Sequence, residues 1–156
     1  MVYVLDTNAF YTLGNYYPSR FPTIWRLIDQ LVTKEEFRSV KEVRREIEIN
    51  CPFEHIEKWV HANRHIFQKP DSRELKVVSE IFKRNQFLGL VRKDHILRGL
   101  PVADPFIVAA AKVNNGIAVT QESLKKGAAR IPTVCKEFGV QWINVEQFLE
   151  REKIEY

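Results

Sequence analysis

The chain has 156 residues, of which 45% are hydrophobic and 28% charged, and this composition fits a globular protein and argues against a disordered one. Its length suits one domain, residues 1–156, with a sizeable core. The formal net charge of +4 permits a polyanionic partner such as RNA but does not require one.

Cysteine usage and N-terminal hydropathy indicate a cytoplasmic protein. Cys51 and Cys135 stand far apart and form no CxxC pair, so we expect two reduced thiols. Asp6 interrupts the apolar N-terminal run after a few residues, so we expect no signal peptide. No window approaches the roughly 20 apolar residues of a membrane helix, and we expect no membrane partner.

The N-terminal third predicts a strand followed by helices. Residues 2–5 are short, apolar and β-prone, which predicts a buried strand. Helical spacing of apolar residues begins after Pro22. Residues 37–40 predict a brief strand or the entry to a helix through 40–49, which Ser39 would cap.

Two more helices are predicted before residue 83, one after Pro52 and one after a break at 69–72. Residues 83–100 predict helix or loop rich in Lys and Arg. The apolar stripes of the four predicted helices are, in order, Ile24, Leu27, Ile28, Leu31 and Val32; Val40, Val43 and Ile47; Phe53, Ile56, Trp59 and Val60; and Leu75, Val78, Ile81 and Phe82.

Helices and strands alternate in the last third of the chain. The predicted elements are helix 103–113, strand 117–119, helix 133–138 closed by Gly139, strand 140–143 and helix 145–150. This alternation predicts an α/β fold with a mainly parallel central sheet.

Polar residues follow the predicted strands. Asp6, Thr7 and Asn8 come directly after the first strand, and Thr120 and Glu122 follow strand 117–119. Because ligands of open α/β sheets bind beyond the carboxyl ends of the strands, we expect these side chains to form a site.

Each acid also has a plain structural explanation. An acid at a helix start, such as Asp104, is often a cap or dipole partner, and Asp6 could form an Asx-turn. Glu42 and Glu46 lie one turn apart among basic residues, which is typical of a solvated helix face.

Taken together, the separated acids favour a divalent cation. Carboxylates brought together repel one another, and a hard cation such as Mg²⁺ or Mn²⁺ relieves that repulsion. Such a cation suits phosphodiester hydrolysis. His61 and His65 stand four apart on a predicted helix, but no neighbouring pattern supports a zinc site.

The motifs resemble those of the PIN domain family over nearly the whole chain. The matching segments are VLDTN at 4–8, VKEVRREI at 40–47, ADPFIVAAA at 103–111, AVTQE at 118–122 and IPTVCKEFGVQWINVEQFL at 131–149, the last resembling a DUF4411-like bacterial subgroup.

The resemblance implies a three-layer α/β/α fold and a ribonuclease that depends on Mg²⁺ or Mn²⁺. It further implies the toxin of a type II toxin–antitoxin pair, of the VapC type, with a cognate antitoxin as partner. Asp6, Glu46, Asp104 and Glu122 match the catalytic and metal-binding acids, although Glu122 replaces the commoner aspartate. Asn8 and Thr120 match supporting positions.

Positive charge outside the acid site is expected to hold RNA phosphates. Two basic clusters, each close in sequence to a predicted acid ligand, are the candidates, and a solvated surface is the alternative. The clusters are Arg92, Lys93 and Arg98 before Asp104, and Lys125, Lys126 and Arg130 after Glu122. Aromatic residues of the N-terminal third suggest a homodimer face or simply core; they are Phe10, Tyr11, Tyr16, Tyr17 and Trp25.

Two other functions compete with a ribonuclease. A haloacid-dehalogenase-like phosphatase also begins with a strand and an aspartate, but it needs an acid where this chain has Asn8. A catalytically silent PIN-like domain that only binds protein or RNA is the alternative from another class.

Overall fold

The computed structural model describes residues 1–84, 103–125 and 130–154. A five-stranded sheet runs through the centre in the order β3-β2-β1-β4-β5. All four strand pairings are parallel, which confirms the predicted α/β class. The strands are β1 (Tyr3–Leu5), β2 (Phe37–Val40), β3 (Phe67–Gln68), β4 (Ile117–Val119) and β5 (Gln141–Ile143).

Helices flank the sheet on both faces and complete a three-layer α/β/α fold. The helices are α1 (Thr7–Leu13), α2 (Pro22–Thr33), α3 (Lys41–Asn50), α4 (Glu54–Ala62), α5 (Ser72–Phe82), α6 (Asp104–Val113), α7 (Ile131–Phe138) and α8 (Val145–Arg151). A short 3₁₀ turn, Arg64–Ile66, precedes β3.

Alternate residues of the strands face the two helical layers. On one face, Phe10 of α1 lies 6.2 Å from Phe37 and 5.5 Å from Phe67, centroid to centroid, and Tyr3 lies 4.8 Å from Phe148 of α8. The other face is covered by α6, which packs against β1, β2 and β4 and contacts α5 and α7.

The first helix was not predicted from the sequence. Asp6 is its N-cap, and the Asp6 side chain accepts a hydrogen bond from the Ala9 amide. Ala9, Phe10 and Leu13 are its buried residues, at the spacing of a helix that packs on a sheet. The polar stretch after β1 is therefore the start of a helix rather than a loop.

Two predictions around β2 are settled by its hydrogen bonds. Residues 37–40 form a strand and not a helix entry. Ser39 does not cap α3, whose N-cap is Val40; the Ser39 hydroxyl donates instead to the Leu5 carbonyl oxygen at 2.6 Å. The two-residue strand β3 gave no recognisable sequence signal.

Three further predictions are wrong in detail. Leu75 was placed in an apolar stripe, yet it is 50% exposed, because Val77 and Glu74 take the inner face of α5. Helix α7 begins at Ile131 rather than 133, with Pro132 in its first turn, where proline is tolerated. His61 and His65 do not share a helix, since α4 ends at Ala62.

The aromatic residues of the N-terminal third are mostly core. Phe10 and Trp25 are buried, and Tyr17 is 50% exposed. Both cysteines are free. In the parts of the chain that the structure describes, no helix has the length and apolar character needed to cross a bilayer.

Candidate active site

Asp6 is fixed at the carboxyl end of the central strand. It is 3% exposed, and its two carboxylate oxygens have different donors. Oδ1 accepts from the Ala9 amide at 2.9 Å, and Oδ2 accepts from the Thr120 hydroxyl at 2.6 Å. Because β1 pairs with β4 in parallel, both strands end at the same edge, which brings Thr120 to Asp6.

Asn8 joins the two strand ends on the solvent side of Asp6. Its Oδ1 accepts from the Gln121 amide at 2.8 Å and lies 3.5 Å from the Thr120 hydroxyl oxygen. The Gln121 side chain in turn accepts from the Val145 amide at 2.8 Å. These contacts hold the polar segment after β4 between β1 and the start of α8.

Glu46 reaches the site from the middle of α3. It is half-buried, and the Thr7 hydroxyl donates a hydrogen bond to its Oε2. Thr7 is the first residue of α1, so the helix that Asp6 caps also orients Glu46. No sequence argument assigned this role to Thr7.

Asp104 stands at the first position of α6, after the N-cap Ala103. The pKa of Asp104 is raised to about 7, mainly by burial, with smaller contributions from the nearby charges of Glu122 and Glu46. Burial also raises the pKa of Asp6 well above its ordinary value; the Thr120 and Ala9 hydrogen bonds oppose this effect, and the charges of Asp104 and Glu122 add to it. The charges of Glu122 and Glu46 therefore act on Asp104, and those of Asp104 and Glu122 act on Asp6.

Glu122 is half-buried, and its Oε2 accepts from the Ile131 amide at 2.8 Å. Its own amide donates to the Thr120 hydroxyl oxygen at 3.1 Å. Glu122 thus connects the donor on Asp6 with the first turn of α7. The sequence identified Glu122 by its motif, but not this contact.

Glu42 belongs to a different cluster. It is 7% exposed, its nearest cation is Lys41 at 3.9 Å, and burial raises its pKa. Its charge acts on Glu74, which lies 3.5 Å from Arg38. Of the two helix acids, Glu46 is the one whose charge reaches Asp104.

Most of the predicted RNA-binding residues lie outside the residues that the structure describes. Lys125 is exposed, and its carbonyl oxygen accepts from the Thr133 hydroxyl at 3.1 Å. Those outside the described residues are Arg92, Lys93, Arg98 and Lys126.

The side chains of the four acids suit a hard cation chemically, but they are not arranged as a complete set of ligands around one. The acids supply oxygen ligands only, which Mg²⁺ and Mn²⁺ prefer. Within residues 1–84, 103–125 and 130–154, no three Asp, Glu, His or Cys side chains stand close enough to hold a metal ion as they are. Asp6, Glu46 and Glu122 are each turned toward a hydrogen-bond donor of the protein.

Comparison with protein families identifies the chain. Residues 3–156 match the family described as "Domain of unknown function (DUF4411)". The chain belongs to this family. A comparison of the chain with curated proteins gives no significant match.

Three solved structures match this DUF4411 protein over most of its length. VapBC2 from Rickettsia felis, solved bound to a DNA fragment from its promoter, matches with a TM-score of 0.51 and 14% identity over 92% of this chain and 98% of that chain. PAE2754 from Pyrobaculum aerophilum gives 0.47, with 17% identity over 97% and 94%. FitAcB from Neisseria gonorrhoeae gives 0.48, with 14% identity over 93% and 99%. At this identity the VapBC2 match shows a common fold, which is PIN-like.

Proposed function

We propose that the chain is a ribonuclease that uses Mg²⁺ or Mn²⁺ to hydrolyse RNA phosphodiester bonds. The observation that carries the proposal is that Asp6, Glu46, Asp104 and Glu122 come from four separate segments, yet Asp6 is affected by the charges of Asp104 and Glu122, and Asp104 by those of Glu122 and Glu46. Burial raises the pKa values of Asp6 and Asp104, the charges of neighbouring acids add to this effect, and a bound divalent cation would oppose it.

Each acid has a separate task in this proposal. Asp6, Glu46, Asp104 and Glu122 would hold the cation through their carboxylate oxygens. The cation would neutralise charge at the phosphoryl transition state and lower the pKa of a bound water. Thr120 and Asn8 hold the strand ends, so that Asp6 keeps its position while substrate binds.

The substrate and partner follow from charge and fold. The chain carries a net charge of +4 although its site is acidic, so positive residues elsewhere would hold RNA phosphates. Lys125 and Arg130 are the described candidates, and the others are Arg92, Lys93, Arg98 and Lys126. The fold shared with VapBC2 supports a cytoplasmic toxin of a type II toxin–antitoxin pair with a cognate antitoxin as its partner. A homodimer is also compatible with this role.

Cleavage of single-stranded RNA by the purified chain tests the proposal. We expect cleavage with Mg²⁺ or Mn²⁺, none with EDTA, and a loss of at least about 100-fold in Asp6→Asn and Asp104→Asn. Glu146→Gln, at an exposed position, is the matched control and should cleave normally. Cleavage that survives removal of all metal would contradict the proposal.

A silent PIN-like binding domain is the second candidate. The open arrangement of the acids favours it, because no three potential ligands among the described residues are already at metal-binding distances. That function predicts RNA or protein binding without cleavage and no thermal stabilisation by Mn²⁺. Stabilisation that disappears in Asp6→Asn would exclude it.

A further inference from the structure

Helix α7 lacks a cap from its own N-cap residue. The first amides of a helix have no partner inside the helix. The N-cap is Arg130, whose side chain makes no capping hydrogen bond, and Pro132 has no amide hydrogen. The amide of Ile131 is instead bound by Glu122, which precedes it by nine positions.

A carboxylate is a strong partner for such an amide. The hydrogen bond is charge-assisted, and the negative charge stands at the positive end of the helix. The Glu122 side chain therefore does for α7 what Asp6 does for α1, but from a distant part of the chain.

Two weaker contacts run beside this one. The Thr133 hydroxyl donates to the Lys125 carbonyl oxygen at 3.1 Å, and Arg130 Nη1 donates to the Ser123 hydroxyl oxygen at 3.4 Å. With the Glu122 contact, they join residues 122–125 to residues 130–133. We call these three hydrogen bonds the α7 contacts.

Side-chain length decides whether position 122 can make its contact. An aspartate is one methylene shorter than a glutamate and would fall short of the Ile131 amide, which Glu122 meets at 2.8 Å. A glutamine keeps the length and an acceptor oxygen but loses the charge. Reach and charge can therefore be separated by two substitutions.

We infer that Glu122 is a positioning residue: through the α7 contacts it fastens residues 122–125 to helix α7 and so sets where Lys125 meets RNA. The part that concerns RNA rests on the proposed function. The part that concerns α7 does not, since it follows from the hydrogen bonds of the folded chain alone.

Hydrogen exchange of the Ile131 amide tests the anchor without substrate. We expect the Ile131 amide to exchange about tenfold faster in Glu122→Asp than in the parent. In Glu122→Gln its exchange rate should stay within about threefold of the parent value. Glu146→Asp, a similar shortening at an exposed position of α8, is the control and should leave Ile131 unchanged.

RNA binding in the uncleaving Asp6→Asn background tests the positioning. Glu122→Asp should weaken binding about fivefold, and Glu122→Gln should not. If Glu122 acts through Lys125, Lys125→Ala should weaken binding in the parent but add nothing to Glu122→Asp. A purely structural loss would instead be additive with Lys125→Ala.

Three results for Ile131 exchange and RNA binding would overturn the inference. They are a larger effect in Glu122→Gln than in Glu122→Asp, an equal effect in both variants, and no effect in either. If the Asp6→Asn parent binds no RNA, the proposed function fails, and the exchange of Ile131 alone still decides whether Glu122 anchors α7.

Discussion

The Thr120 hydroxyl donates a 2.6 Å hydrogen bond to Oδ2 of Asp6, across 114 positions of sequence. Both residues are buried, so the bond is not shared with bulk water. Thr120→Val keeps the shape and removes the donor. We expect the free energy of unfolding to fall by about 1–3 kcal/mol and cleavage to fall at least about tenfold.

Thr120→Ser is the control for that substitution, because it keeps the hydroxyl and loses only a methyl group. Urea unfolding and initial cleavage rates should place Thr120→Ser near the parent. Equal activity of the valine and parent proteins would show that this bond does not position Asp6.

Thr7 should matter through Glu46. The Thr7 hydroxyl is the donor that the structure places on Glu46 Oε2, so Thr7→Val leaves the carboxylate without it. We expect cleavage to fall roughly tenfold while the fold is kept, with a stability loss of about 1 kcal/mol. Steady-state kinetics with Thr7→Ser as the rescuing variant is the measurement, and a valine variant with unchanged kcat would refute the assignment.

The two acids of α3 should behave oppositely. Glu46→Gln should lose most cleavage, because Glu46 is one of the proposed cation ligands and lies near enough to Asp104 for its charge to act there. Glu42→Gln should cleave normally and unfold at a similar or higher urea concentration at pH 8, since burial disfavours the charged form of Glu42. Loss of activity in Glu42→Gln with an active Glu46→Gln would place the site one helical turn away.

The raised pKa values predict how stability depends on pH. Asp104 binds its proton more tightly in the folded chain, where its pKa is about 7 instead of 3.8, than in the unfolded chain. The free energy of unfolding of the metal-free protein should therefore fall as pH rises from about 4 to about 7, and stay lowered above that. Asp6 contributes with the same sign.

Urea unfolding in EDTA at pH 5 and pH 8 measures this dependence. Asp104→Asn should be more stable than the parent at pH 8 by roughly 2 kcal/mol. Its free energy of unfolding should also differ less between pH 5 and pH 8 than that of the parent. Stability of the parent that rises from pH 5 to pH 8, unchanged by Asp104→Asn, would contradict the electrostatics of the site.

The sequence predicted what short-range patterns control. Apolar runs placed β1 and β4, and helical spacing placed Val43 and Ile47 in the core. The parallel sheet followed from the alternation of elements, and it explains why Asp6 and Thr120 meet. Residues 83–100 were predicted as helix or loop, and beyond Arg84 they lie outside the described residues.

Contacts between distant segments were beyond sequence reasoning. Helix α1 was missed because Asp6 had been interpreted as a ligand or as part of an Asx-turn, whereas it is the N-cap of α1. The Thr7–Glu46 and Glu122–Ile131 pairs depend on how α1, α3 and α7 pack, which no local pattern shows. The prediction that Leu75 is buried was wrong because a glutamate, Glu74, is buried on the inner face of α5 instead.

The central claim is that acids from four segments form one site for a divalent cation. Electron paramagnetic resonance of Mn²⁺ titrated into the metal-free protein measures binding at this site directly. Bound ions no longer contribute to the signal of free Mn²⁺, so the loss of that signal counts them. We expect saturable binding at pH 8 that weakens at pH 6, as protons compete for Asp104, and that is lost in Asp6→Asn and Asp104→Asn but kept in Glu146→Gln. Binding of Mn²⁺ that is equal in all four proteins, or absent from the parent, would contradict the account.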